Sequence, residues 1–178
     1  VTDRELLDHL RQSDHGAFET IFREFYEQLV GLAERMLRQR ETAEEIVQDV
    51  LLEVWRRRES LVVEESLRAY LYRATRNRVL NHIRHEQVVQ RTARMVRDES
   101  VAPRTAVADV MESEIDAAVG KAVRALPDRC REVFELSRRH GLKYAEIAVA
   151  LGISVKTVEA QMGKALRVLR EKLAVWLP

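Results

Sequence analysis

The chain has 178 residues, 46% of them apolar by type, and a formal net charge of only +1. That length holds one medium domain or two small ones with buried cores, and no apolar run approaches the ~20 residues of a membrane-spanning helix, so membrane insertion is not expected. Cys130 is the single cysteine, which leaves no partner for an internal disulfide or a cysteine-based zinc site and makes a reducing, cytoplasmic location the simplest expectation.

The opening Val1-Thr2-Asp3-Arg4-Glu5 does not read as a signal peptide. The first strong stripe is Phe18, Ile21, Phe22, Phe25, Leu29, Leu32, Ala33 and Met36, whose steps of three and four predict an amphipathic helix capped by Ser13 or Asp14. A second stripe, Ala43, Ile46, Val47, Val50, Leu51, Val54 and Trp55, predicts a second helix. Its outer side carries Glu45, Gln48, Asp49, Leu52 and Glu53, and no base occurs between 41 and 53. An exposed leucine among acids suits a basic partner helix with an apolar spot, and a solvated acidic face with a stray leucine explains it equally well.

A third helix is expected from near Ser66 to about His85, with Leu67, Tyr70, Leu71 and Ala74 inward. Three such helices can enclose one core. Residues 66 to 97 carry eight arginines against one acid, Glu86. Arg73, Asn77 and Arg84 fall on one side of this helix, with Arg76 and Asn81 flanking; asparagine can bond base edges, and arginine can hold phosphates or stack on bases. A solvated basic surface is the alternative. By helical phase Arg78 falls on the apolar side, which calls for snorkelling or an acidic partner.

The stretch from about 87 to 106 is polar, Arg-rich and weakly periodic, and reads as a linker, flexible or partly helical, within a tether placed at 87–111. Periodicity returns with Val107, Val110, Met111, Ile115, Ala118, Val119, Ala122 and Leu126; Pro127 ends that helix and Asp128 can cap the next. Shorter helices are expected at about 128 to 140, 144 to 151 and 155 to 174, with Cys130 buried beside Val133 and Phe134.

Tyr144 to Val158 has the layout of a helix-turn-helix. Ala148 is small where two helices approach, Gly152 tolerates the positive φ of the turn, Ile147, Leu151, Ile153 and Val158 lock the pair, and Ser154 can cap the second helix. That second helix would enter a major groove with Lys156, Thr157, Glu159, Ala160, Gln161, Lys164 and Arg167 outward. Lys and Arg suit phosphates; Gln and Glu can reach base edges, although Glu159 repels phosphate unless it accepts from a cytosine amino group. This motif alone does not separate one class of DNA-binding transcription protein from another.

Ala43–Trp55, Ser66–Arg78, Ala125–Phe134 and the helix-turn-helix, taken in order and at these spacings, resemble the extracytoplasmic-function (ECF) group of the sigma-70 family over roughly 10 to 86 and 112 to 173. The resemblance implies an all-α chain of two small domains, a helical bundle at 1–86 (region 2) and a helix-turn-helix domain at 112–178 (region 4), joined by the linker. It implies that Glu45, Gln48, Asp49, Leu52 and Glu53 dock on the largest subunit of core RNA polymerase. Arg73, Arg76, Asn77, Asn81, Arg84 and Leu61 would then meet the −10 element, and Lys156, Thr157, Glu159, Gln161, Lys164 and Arg167 the −35 element. The loop from Leu61 to Ser66 corresponds to the family's pocket for a base flipped from the non-template strand, but here it has no aromatic and carries Glu64 and Glu65. The second-largest subunit is a further implied partner, and an anti-sigma factor is a common one in the group. Neither a catalytic constellation nor a cofactor is expected: His82 and His85 share a helix face without further ligands. A two-helix output domain of a transcriptional regulator, or a sigma mimic that titrates an anti-sigma protein, are the rival readings.

Overall fold

The computed structural model describes residues 3–63, 65–94 and 114–175, the side chains of 114 and 115 excepted. Among these residues every regular element is a helix: α1 (Asp3–Arg11), α2 (His15–Leu37), α3 (Arg40–Arg56), α4 (Leu67–Arg94), α5 (Glu114–Arg124), α6 (Asp128–Arg138), α7 (Tyr144–Leu151) and α8 (Val155–Lys172). The chain divides into two compact units, with α1 to α4 in the first and α5, α6, most of α7 and α8 in the second.

In the first unit α2 starts at Asp14, not Ser13: the Asp14 carboxylate accepts from the Gly16 N–H at 2.8 Å, while Ser13 takes a left-handed φ of 61° in the turn before it. Ile21, Phe25, Leu29, Val30 and Ala33 form its buried stripe; Phe22, expected inside, is 39% exposed. The helix ends at Arg38, which holds φ 58° and donates its N–H to the Glu34 carbonyl. Glycine usually fills that left-handed cap, so an arginine there accepts a strain of about 1 kcal/mol. Arg40 then opens α3, where the helix dipole disfavours a cation. Carboxylates offset this: its guanidinium meets Glu27 at 3.2 Å and Glu34 at 3.5 Å on α2, and Glu44 at 2.8 Å on its own helix. The hydrogen bond to Glu27 first, and that to Glu44 next, hold the Arg40 pKa above its ordinary value.

α3 buries Ala43, Ile46, Val47, Val50, Leu51 and Val54 against α2 and α4. Trp55 is half-buried in a ring of contacts, with His15 at 4.9 Å, Phe18 at 5.3 Å and the Arg58 guanidinium 4.5 Å over its ring. α4 is capped by Ser66, whose hydroxyl accepts from the Ala69 N–H at 3.0 Å. It buries Leu67, Ala69, Leu71, Tyr72, Thr75 and Val79, then continues to Arg94 instead of stopping near His85. Every residue from 84 to 94 is exposed, so no core stripe announced this extension. With neither glycine nor proline in it, intrinsic helix preference and continuity with the packed half sustain the helix.

α1 was not anticipated. Its Leu6, Leu7 and Leu10 are spaced for one face and bury against the bundle, with Leu10 wholly enclosed.

In the second unit the stripe Val158, Met162, Ala165 and Leu169 of α8 is buried, and Ala165 and Leu169 pack with Ala122, Val123, Leu126 and Cys130 in one core. Asp128 does not cap α6. Pro127 occupies the capping position without a side-chain bond, and Asp128 instead pairs with Arg131 one turn on. The expected linker is described only as far as Arg94, and Val107, Val110, Met111 and the side chain of Ile115 lie outside the described residues. No helix among the described residues is long and apolar enough to cross a membrane.

Candidate polymerase and nucleic-acid interfaces

On α3, Glu45, Gln48, Asp49 and Leu52 are exposed and Glu53 is half-buried, so the expected face exists as a surface. Its acids are not all unpaired. Asp49 meets Arg78 of α4 at 3.1 Å, and Glu53 pairs with Arg57 one turn on. The Asp49 contact accounts for Arg78: the side chain stays at the surface, 43% exposed, with an acidic partner on the neighbouring helix. Sequence reasoning missed two aromatics of this face. Phe22 stacks on Tyr26 with ring centroids 4.6 Å apart, and Gln48 donates to the Tyr26 hydroxyl at 3.4 Å. Leu52, 46% exposed, lies one turn from Gln48 on α3. The surface therefore pairs acids with a stacked aromatic pair, a composition that recurs in protein interfaces with basic partners.

On α4, Arg73, Asn77, Asn81 and Arg84 are exposed and Arg76 is half-buried. Steps of four, four and three place Arg73, Asn77, Asn81 and Arg84 along a single edge of the helix. Arg84 donates to the Asn81 side-chain oxygen at 3.3 Å, which leaves the Asn81 amide hydrogens as its outward groups. Leu61 does not belong to this surface. It is 4% exposed, and its carbonyl accepts from Arg11 at 3.2 Å. The adjacent Val62, 77% exposed, is the side chain the loop actually presents at that end.

The helix-turn-helix forms as its residues require. Gly152 has φ +66°, the Ile153 N–H reaches the Ala148 carbonyl at 3.0 Å, and Ile147, Ala148, Leu151 and Val158 are buried. Glu146 accepts from the Lys143 N–H at 2.9 Å at the head of α7, and Ser154 accepts from the Thr157 N–H at 3.1 Å at the head of α8. Lys156, Glu159, Lys164 and Arg167 are exposed. Thr157 is exposed too, but its hydroxyl is shared with Ser154 at 2.8 Å and serves the cap. Gln161 turns out to be half-buried: its side-chain oxygen accepts from the buried Cys130 thiol at 3.0 Å. Its phase one residue before Met162, on the flank of the buried stripe, could have revealed this. Ala160 and Gly163 complete the outward face between Lys156 and Arg167, and a Cβ added at Gly163 would meet nothing within 4 Å.

Family models for sigma-70 region 2 and sigma-70 region 4 match residues 21–88 and 116–169. The ECF RNA polymerase sigma factor SigK of Mycobacterium tuberculosis (strain ATCC 25618 / H37Rv) is 31% identical over 176 residues, covering 95% of this chain and 94% of that protein. SigK of Mycolicibacterium vanbaalenii is 29% identical, with coverages of 96% and 88%. Among solved structures, the sigma factor RpoE of Bartonella quintana in complex with the anti-sigma factor NepR superposes with a TM-score of 0.64 at 25% identity, covering 89% of this chain and 97% of that one.

Proposed function

The chain belongs to the ECF group of the sigma-70 family, and from that premise we propose a division of labour among its surfaces. It is a sigma factor: it binds core RNA polymerase and directs promoter-specific initiation of transcription. The region 2 match over 21–88 removes the output-domain regulator reading, since that part of the chain has no counterpart there.

In this reading the α3 surface of Glu45, Gln48, Asp49, Leu52 and Glu53, widened by Phe22 and Tyr26, docks on a basic helical element of the largest polymerase subunit. The α4 edge of Arg73, Asn77, Asn81 and Arg84, with Arg76 beside it, meets unpaired −10 bases. The α8 face of Lys156, Thr157, Glu159, Lys164 and Arg167 docks in the duplex −35 element, with Gln161 as a donor at its margin. Domain limits at 1–86 and 112–178 with a tether between them, and contact of the second unit with the second-largest subunit, are part of the same proposal. An anti-sigma protein is a further partner of this class. The chain supplies binding free energy that offsets strand separation and carries out no bond chemistry itself, acting where the polymerase acts, in the cytoplasm.

The observation that carries this reading is the alignment of Arg73, Asn77, Asn81 and Arg84 on one exposed edge of α4, in the same unit as the acidic surface of α3. The test is transcription by purified core polymerase, with and without the chain, on a promoter library. Start-site selection should appear only with the chain. Asn77→Ala should then lower open-complex formation while core affinity stays within twofold; equal loss of both would refute the α4 assignment.

A further inference from the structure

α1 has no part in the division above, yet two of its side chains reach the same distant segment. Arg11, at its C-terminal end, donates from a terminal guanidinium nitrogen to the Leu61 carbonyl at 3.2 Å. Asp3, at its N-terminal end, accepts from the Leu67 N–H at 2.8 Å. Leu61 and Leu67 are the two stems of the loop that precedes α4. The run into that loop is tied as well: Arg58 donates to the Ser13 hydroxyl at 3.0 Å, just after α1, and to the Trp55 carbonyl at 2.8 Å.

The N-terminus of α4 already has an acceptor in Ser66, so Asp3 is a second one, drawn from 64 residues away. Helix starts leave four N–H groups without intrahelical partners, and two acceptors there fix the entry angle more firmly than one. Asp3 and Arg11 stand about 12 Å apart along a rigid helix at 1.5 Å per residue. That helix is itself anchored by Leu6, Leu7 and Leu10 in the core. One stiff rod thus holds both ends of a short loop in which Val62 is largely in solvent.

We propose that α1 is a brace for the strand-capturing loop, with Arg11 and Asp3 as positioning residues that hold its two stems at the separation needed to receive a non-template base. The inference rests on the reading of 61–66 as that loop. Holding the stems before DNA arrives moves the ordering cost from the binding step to folding, which is how preorganisation strengthens a contact that the brace itself never touches.

The experiment uses the full chain in holoenzyme. Arg11→Met and Asp3→Ala, singly and together, are compared with Arg11→Lys and Asp3→Asn, which retain a donor and an acceptor. The readouts are binding of a single-stranded non-template −10 oligonucleotide from a promoter selected in the library, base discrimination along it, binding of duplex −35 DNA, core affinity and thermal midpoint. The double variant should bind the single strand about tenfold more weakly and discriminate bases less sharply, with −35 and core binding within twofold. Each single variant should lose part of that, and the Lys and Asn variants should recover it. Unchanged single-strand binding and discrimination in the singles and the double overturns the brace, as does failure of the conservative variants to rescue. Val62→Glu separates the brace from its premise: if it too leaves single-strand binding and discrimination untouched, the loop reading has failed; if it alters them while the brace variants do not, only the brace has.

Discussion

Reversing the charge of Asp49 tests the docking surface, because the structure separates what that carboxylate does inside the protein from what it offers a partner. Inside, it pairs with Arg78 at 3.1 Å, with the two side chains 63% and 43% exposed. Exposed pairs contribute about 0.2–1 kcal/mol, so Asp49→Ala should cost less than about 1 kcal/mol of folding stability. Asp49→Lys adds a like charge beside Arg78, worth about 1 kcal/mol at 4 Å in water and less once the flexible lysine swings away. The unit therefore stays folded. Against a basic polymerase helix the change removes an attraction and adds a repulsion. Close charge pairs at interfaces couple by about 1.5 kcal/mol or more, so a reversal costs about 2–3 kcal/mol, a 30- to 150-fold rise in Kd. Fluorescence anisotropy of the labelled chain titrated with core polymerase at two salt concentrations measures this, and the gap between variant and native should narrow at higher salt. Arg78→Ala is the control: it breaks the same internal pair but leaves the acid, so core affinity should hold or rise. Equal weakening by Asp49→Lys and Arg78→Ala would refute the reasoning, because a shared structural defect would then explain both.

Three further substitutions read other parts of the structure. Thr75 is wholly buried on α4 with a hydroxyl that has no hydrogen-bond partner among the described residues; Thr75→Val should stabilise the protein by about 1 kcal/mol in urea denaturation, and a loss of that size instead would reveal a partner for the hydroxyl. Gly163→Ala should raise stability by about 0.5–1 kcal/mol, because nothing crowds a Cβ there, while weakening −35 duplex binding if the α8 backbone closes on DNA at that point. A gain in stability with unchanged −35 affinity would place Gly163 off the contact. Because the buried Cys130 thiol donates to the Gln161 oxygen and draws it toward the core, the amide hydrogens are the outward groups and two-bond adenine reading is disfavoured; Cys130→Ala should admit adenine at one −35 position in a binding selection, whereas Cys130→Ser should keep the native profile, and identical profiles for all three would remove Gln161 from base reading.

The parts of this molecule that were readable in its sequence are those where one helix decides the matter by itself. Ile21, Phe25, Leu29 and Ala33, or Val158, Met162, Ala165 and Leu169, announce their burial through spacing alone, and Gly152 and Ser154 announce the turn through conformational preference and capping chemistry. Where two helices decide, the sequence is silent. Phe22 belongs by type in the core but lies outside the packed face and stacks on Tyr26. Arg78 looked misplaced until α3 supplied Asp49. Gln161 looked fully outward until α6 supplied Cys130. Leu61 sits in a segment whose role suggested exposure, yet an aliphatic side chain at a loop stem is buried whenever the neighbouring helix leaves it room.

The same distinction bears on how strand capture could work with so plain a loop. Extruding a base costs a few kcal/mol, and a loop without an aromatic offers little stacking to offset it. Two other sources of free energy remain on the proposed reading. The α8 face, once seated on the −35 element, raises the effective concentration of the α4 edge at the −10 element without adding a contact there. The bonds from Arg11 and Asp3 reduce the entropy that the loop must lose on capture. A chain that captures bases through positioning more than through stacking should be sensitive to loop geometry and tolerant of conservative, uncharged changes in loop composition, though not of an added negative charge such as Val62→Glu. Conservative changes at Val62 should then matter less than loss of the bonds at Leu61 and Leu67. A loop whose capture strength followed the size and polarity of the Val62 side chain, whatever happened at its stems, would show that contact chemistry and not geometry carries the step.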